Sequence, residues 1–269
     1  MMGGHHAVSG AAAWLAITAT APAIPVAAHS FTLTTGLYAQ TPAVALIGAL
    51  LVAGWALAAD ADHHSATIAH SVPVVGRIVT GAVEEASGGH RKGTHTIWAV
   101  LAVAALSWFA GLFVWRSQGP IGPVDVGLLA LTVPVTAFAA HAMKLPGIGH
   151  SWPRSWIAGG VLGAVVTIAL RQDVPWLPVA VVLGYTVHLA GDLLTAEGLA
   201  PLYPILIRPP KAIANLPVLS AMWHENGYVS IPLLGKTGSA REWLLAALLS
   251  AYVAYVAFYE IQQLVGIHL

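Results

Sequence analysis

The sequence predicts an all-α fold: a polytopic transmembrane bundle of about seven membrane segments in a single domain spanning residues 1–269. Three observations carry this expectation. Apolar residues make up 57% of the chain and charged residues only 8%, against roughly 25% charged in a water-soluble domain. The apolar residues fall in long uncharged runs on the order of 20 residues, the length that crosses a bilayer as a helix. The lysines and arginines cluster on alternate connections between those runs, as the positive-inside rule requires.

The runs cover approximately 7–28, 41–59, 96–115, 125–142, 155–171, 176–195 and 242–265. The first contains Pro22 and Pro25, which are expected to break or kink it. The fourth and fifth are short and interrupted by glycine and proline. With the N-terminus in the cytoplasm and all seven runs spanning, the inner loops hold Arg77, Arg91, Lys92, Lys144, Arg154, Arg208, Lys211, Lys236 and Arg241. The outer loops hold Arg116 and Arg171. This asymmetry supports both the number of spans and the orientation.

Composition also excludes several classes. There is no cysteine, hence no disulfide framework and no thiolate metal site. Eleven basic residues balance eleven acidic ones with no basic block, so nucleic acid is not an expected partner. The expected partners are the lipid bilayer and a small-molecule or lipid-like substrate.

Against this apolar background the polar residues stand out in four places. His6 sits in Gly4-His5-His6-Ala-Val-Ser9-Gly10, at the start of the first run. Asp60-Ala-Asp62-His63-His64 ends the second run, where acids oppose the helix dipole and so need a reason to be there. His90-Arg91-Lys92-Gly93-Thr94-His95 precedes the third run, with two histidines five apart around a glycine. His188 and Asp192 lie four apart inside the sixth run, on one helix face. Each has a plainer reading: a solvated helix end, a basic loop that only sets orientation, or a His–Asp pair satisfied within a packed core. Ionisable residues inside apolar segments are costly, however, and mark functional sites more often than not. In the inferred topology all four places fall on the cytoplasmic side.

These pieces, in this order, resemble the YdjM-like family of inner-membrane-associated metal-dependent hydrolases. An early His before a small-residue helix start is matched by His6-Ala-Val-Ser-Gly10. A PD-x-DH element is matched by Ala59-Asp60-Ala-Asp62-His63, with Ala59 in place of the usual proline. A GHR-x-x-TH element is matched by Gly89-His90-Arg91-Lys-Gly-Thr94-His95. A GY-x-x-H-x-x-x-D-x-x-T-x-x-G element is matched by Gly184-Tyr185 through His188, Asp192, Thr195 and Gly198. The resemblance implies a bacterial-type inner membrane location, a divalent metal and a hydrolytic reaction.

The residues expected to supply metal ligands are His6, Asp60, Asp62, His63, His90, His95, His188 and Asp192. Histidine and carboxylate donors suit zinc, as one or two ions, with manganese as the alternative. Asp60 is the expected base and Arg91 the expected partner of an anionic substrate group. The alternatives are a proton- or metal-ion-handling transporter and a non-catalytic metal-binding scaffold.

Overall fold

A computed structural model describes residues 1–20, 24–26, 29–116, 119, 122–169, 176–211 and 216–266. Pro22, Arg171 and His268 lie outside the described residues. The chain is mostly helical. In order it forms α1 (Gly3–Thr18), a small hairpin of β1 (Ile24–Val26) and β2 (His29–Phe31), α2 (Pro42–Ala58), α3 (Val75–Ser87) and α4 (Ile97–Ala110). A two-residue ladder of β3 (Val114–Trp115) with β4 (Val124–Asp125) leads into α5 (Val126–Ala142). Then come α6 (Trp152–Ala164), α7 (Trp176–Leu193), the short α8 (Pro217–Met222) and α9 (Ala240–Leu264).

Three of the helices begin on a side-chain cap. The Thr41 side chain accepts from the Val44 N–H, with Pro42 at the first helical position of α2. Thr96 accepts from Ala99 at the start of α4, and Ser239 from Glu242 at the start of α9. The first run departs from its expected bounds. Its helix ends at Thr18 rather than 28, and Pro25 falls in β1, where its missing N–H and fixed φ suit a short edge strand better than a helix interior.

α2 is the central helix and packs on α1, α5, α7 and α9. Its Leu51 and Val52 lie in a core shared with Trp14, Trp176 and Val181, all almost fully buried. Close approach is bought with small residues: a Cβ on Gly184 of α7 would lie 2.6 Å from the Val52 carbonyl oxygen, and one on Gly10 of α1 2.8 Å from the same oxygen.

The helices alternate in direction. One end of the bundle gathers the starts of α1, α4, α6 and α9 with the ends of α2, α5 and α7. Gly3 sits against Leu57 and Gly4 against Ala142. His6 stacks on His188. The Trp156 indole donates to the Ser71 carbonyl (3.0 Å), and His5 pairs with Glu242 (2.6 Å). At the opposite end Trp14 of α1 meets Trp176 at the start of α7, and the Thr20 N–H donates to Glu260 of α9 (2.9 Å).

By length and composition, three helical stretches among the described residues suffice to cross a membrane: Pro42–Asp62, Trp176–Leu193 and Ala240–Leu264. Ile97–Ala110 and Val126–Ala142 are apolar but shorter. The connection 59–96, expected as a polar loop, contains the amphipathic helix α3. That helix buries Gly76 and Thr80 and exposes Val75, Ile78 and Val79.

Candidate metal centre

The site lies at the end where α2, α4 and α7 meet. α2 leaves α-helical geometry at Ala58 and tightens into a 3-10 turn over Ala59–Asp62. A 3-10 turn advances about 120° per residue, so two acids two apart point in different directions. Asp60 turns toward α7 and Asp62 toward the segment 90–95. That segment is delivered by the end of α3, where Gly88 (φ 80°) takes the left-handed conformation that stops the helix.

Four donor atoms converge. His95 Nε2 and His188 Nε2 stand 3.1 Å apart. Asp60 Oδ1 is 3.7 Å from the first and 3.6 Å from the second. Asp192 Oδ2 is 3.4 Å from the first and 3.7 Å from the second. Donors held tetrahedrally about 2.0–2.1 Å from one zinc ion stand roughly 3.3–3.4 Å apart. The five separations lie close to that value, so the spacing of these donors is compatible with a divalent ion.

The outer contacts orient the imidazoles for the same task. His188 Nδ1 donates to the Ala56 carbonyl (2.7 Å), which leaves Nε2 facing the cluster. His95 Nδ1 lies 2.9 Å from the Thr94 hydroxyl and 3.3 Å from Asp62 Oδ2, which likewise aims its Nε2 inward. The Thr94 hydroxyl donates to Asp62, and Tyr185 Oη donates to the Thr94 carbonyl (2.7 Å). Burial alone would depress His95, but hydrogen bonds to Asp192, Asp60 and Asp62 outweigh it and hold its pKa up at about 10. His95 is therefore a cation at neutral pH when no metal is present.

His6 completes one side. It is fully buried and stacked on His188 with ring centroids 3.8 Å apart. Among the described residues neither ring nitrogen makes a well-aligned hydrogen bond, and Nε2 lies 3.3 Å from Asp192 Oδ1. A buried imidazole without a hydrogen bond is costly, and a nearby cation would resolve it. Gly191 makes room for this ring: a Cβ there would lie 3.1 Å from it.

A second group of donor atoms overlaps the first. Asp60, Asp62, His90 and His95 each offer an atom within 4.8 Å of the others, as do His6, His188 and Asp192. Asp62 accepts from His90 Nδ1 (2.9 Å) and from the Arg91 N–H (3.2 Å). His63 is the expected ligand that stands apart: its Nδ1 is occupied by Ser65, and its ring sits edge-on to His90 at the rim.

Arg91 adopts φ 59°, a left-handed conformation that a β-carbon disfavours. Its guanidinium bonds Asp192 Oδ1 (3.0 Å), the Thr195 hydroxyl (3.4 Å) and the Gly198 carbonyl (3.3 Å). A cavity of about 470 Å³ opens over the cluster, lined by Asp60, His63, His90, Arg91, Glu197 and Thr237 among others. Burial pushes Glu197 up, but its own backbone N–H and that of Thr237 win and hold it below the usual carboxylate range.

Thr94, Tyr185, Glu197 and Glu242 were not among the expected site residues. Glu242 anchors the start of α1, accepting from the Met2 N–H (2.7 Å) and pairing with His5. Its signal in the sequence was a lone acid at the head of the last apolar run.

A helical membrane protein with a buried His/Asp cluster at one end of its bundle is thus the class that fold and site define. The comparison with family profiles gives the particular family: the profile described as YdjM inner membrane protein matches residues 1–264. The chain belongs to this inner-membrane family. Among curated proteins and solved structures, nothing matches.

Proposed function

We propose that the protein is a membrane-embedded metal-dependent hydrolase. The observation that carries this reading is the convergence on His95 Nε2 and His188 Nε2, 3.1 Å apart, of Asp60 Oδ1 and Asp192 Oδ2, each within 3.4–3.7 Å of both. His95, His188 and Asp192 would hold one divalent ion, a three-ligand set that leaves room for water and keeps Asp60 free beside it, with zinc favoured by the donor chemistry and manganese the alternative. Asp62, His90 and Asp60 offer donors for a second ion. A bound divalent metal supplies Lewis-acid polarisation and lowers the pKa of water toward roughly 7.

The chain's own residues do the rest. Asp60 is the acid of the cluster that also lines the cavity, so its carboxylate is placed to take a proton from a water there. Arg91 presents a cation to the same cavity while its bonds to Asp192 and Gly198 hold it still. A fixed cation beside the reacting centre suits an anionic substrate such as a phosphoester. Asp62 and Thr94 orient His95, and Ala56 orients His188.

The alternating helix directions support seven passes, and the basic inner loops support a cytoplasmic N-terminus with the site on the cytoplasmic face. That position favours a lipid-like phosphoester. A proton or ion path is less well supported, because the bundle centre is filled by apolar side chains such as Trp14, Leu51 and Val181.

The test is hydrolysis by detergent-purified protein of water-soluble and lipid phosphoesters, with zinc or manganese added. The reading expects turnover that chelation abolishes and metal restores. Loss of turnover in Asp60→Asn with metal still bound supports the role of Asp60. Absence of turnover on every phosphoester class, in fully metal-loaded protein, overturns the phosphoesterase assignment.

A further inference from the structure

We infer a second, non-catalytic site: a groove on the α5–α6 face that takes one acyl chain of an acidic phospholipid, with Arg154 and Lys144 receiving its headgroup. The site shares no residue with the His/Asp centre and does not depend on the hydrolase reading, only on membrane residence.

The groove has a volume of about 470 Å³, within the range of small-molecule sites. Its walls are almost wholly apolar. Leu50 of α2 and Ala140 of α5 form the back, and Ile157, Val161 and Leu162 of α6 form the side. Ile157 and Val161 are 67% and 62% exposed, so none of the described residues covers them. Arg154 lines the mouth. From Arg154 to Leu162 the helix rises about 12 Å, a depth suited to a stretch of hydrocarbon chain rather than to a compact solute.

Arg154 brings a positive charge to the lining. Arg154 makes one recorded hydrogen bond, to the Gly147 carbonyl (3.2 Å), out of five available donors. Neither Arg154 nor Lys144 has an acidic partner among the described residues, and Lys144, beside the lining residue Leu145, is exposed. An apolar slot lined by Arg154, with exposed Lys144 next to its lining residue Leu145, complements an amphiphile with an apolar tail and an anionic head. This end of the bundle is also the end that carries Asp60 and His95, where α6 begins against Ser71.

Native mass spectrometry of the full chain, titrated with phosphatidylglycerol or phosphatidylcholine of the same acyl chains, tests the assignment. One basic residue near a membrane surface favours an anionic lipid by about fivefold, so the intact site should prefer phosphatidylglycerol by roughly 5- to 25-fold. Lys144→Gln with Arg154→Gln should bring that preference near one. Val161→Trp, which fills the groove from an exposed position, should weaken retention of both lipids. Circular dichroism confirms that each variant keeps its helix content. Equal affinity of the intact protein for the two lipids overturns the proposal, as does a preference that survives the double substitution. Undiminished retention in Val161→Trp overturns the groove as the seat of the chain.

Discussion

Asp62→Asn is the most informative single change, because Asp62 holds the segment 90–95 in place without supplying one of the four converging atoms. Its carboxylate is fully buried and accepts from His90 Nδ1 (2.9 Å), the Arg91 N–H (3.2 Å) and the Thr94 hydroxyl, with His95 Nδ1 at 3.3 Å. Asparagine keeps the shape but replaces one acceptor oxygen with a donor. At least one of those hydrogens then faces another donor, a cost of about 1–3 kcal/mol. That is well below the total stability of about 5–15 kcal/mol for a typical fold, so the protein should fold with a lowered melting temperature. The larger consequence falls on the metal. Loss of the carboxylate behind a ligating histidine weakens metal binding by about 10- to 100-fold. Competition for zinc against a chromophoric chelator, in protein shown to be helical and monodisperse, reads this directly. A zinc affinity within threefold of the unaltered protein would refute the claim that Asp62 orients His95 toward an ion.

Other consequences follow from neighbouring contacts. His95 carries a proton up to about pH 10 in the metal-free protein, so zinc must displace it. Apparent zinc affinity should fall about tenfold for each pH unit lowered below that value, accompanied by proton release measurable by calorimetry in buffers of different ionisation enthalpy. Gly184→Ala would place a carbon 2.6 Å from both the Val52 carbonyl oxygen and the Trp55 Cβ. The helices must part, at a cost of about 1–3 kcal/mol, and because His188 is the next turn of α7, zinc affinity should drop together with the melting temperature. Glu242→Gln should loosen the start of α1 through its contacts to Met2 and His5, giving faster amide exchange in residues 3–10 with a smaller loss of zinc affinity than Asp62→Asn.

Much of this was legible because charge is scarce in the chain. Asp60, Asp62, His90, His95, His188 and Asp192 stand at the ends of apolar runs, and the run order with its basic loops already put them on one side. What the sequence did not reveal is local geometry. The spacing Asp60–Asp62 is the same in any turn, and only the 3-10 conformation sends one acid to His188 and the other to His90. Likewise the string His63-His64 looks as ligand-rich as its neighbours, yet the chain turns extended at His63 and carries it to the rim. The bracing of the Arg91 guanidinium against Asp192 is a long-range contact that no local pattern encodes. The first run misled at its far end, because apolar residues past Thr18 form a hairpin strand as readily as a helix. α3 escaped notice because its glycines and acids obscured a helical period.

The central claim is that His95, His188 and Asp192, with Asp60 beside them, form one divalent-metal site. X-ray absorption at the zinc edge, on protein purified with zinc and dialysed, measures it directly. The account predicts a tightly held ion with a nitrogen and oxygen shell at about 2.0–2.1 Å, lost in the folded His95→Ala/His188→Ala double variant. A protein that retains no metal, or a double variant that keeps the same ion and the same shell, would contradict it.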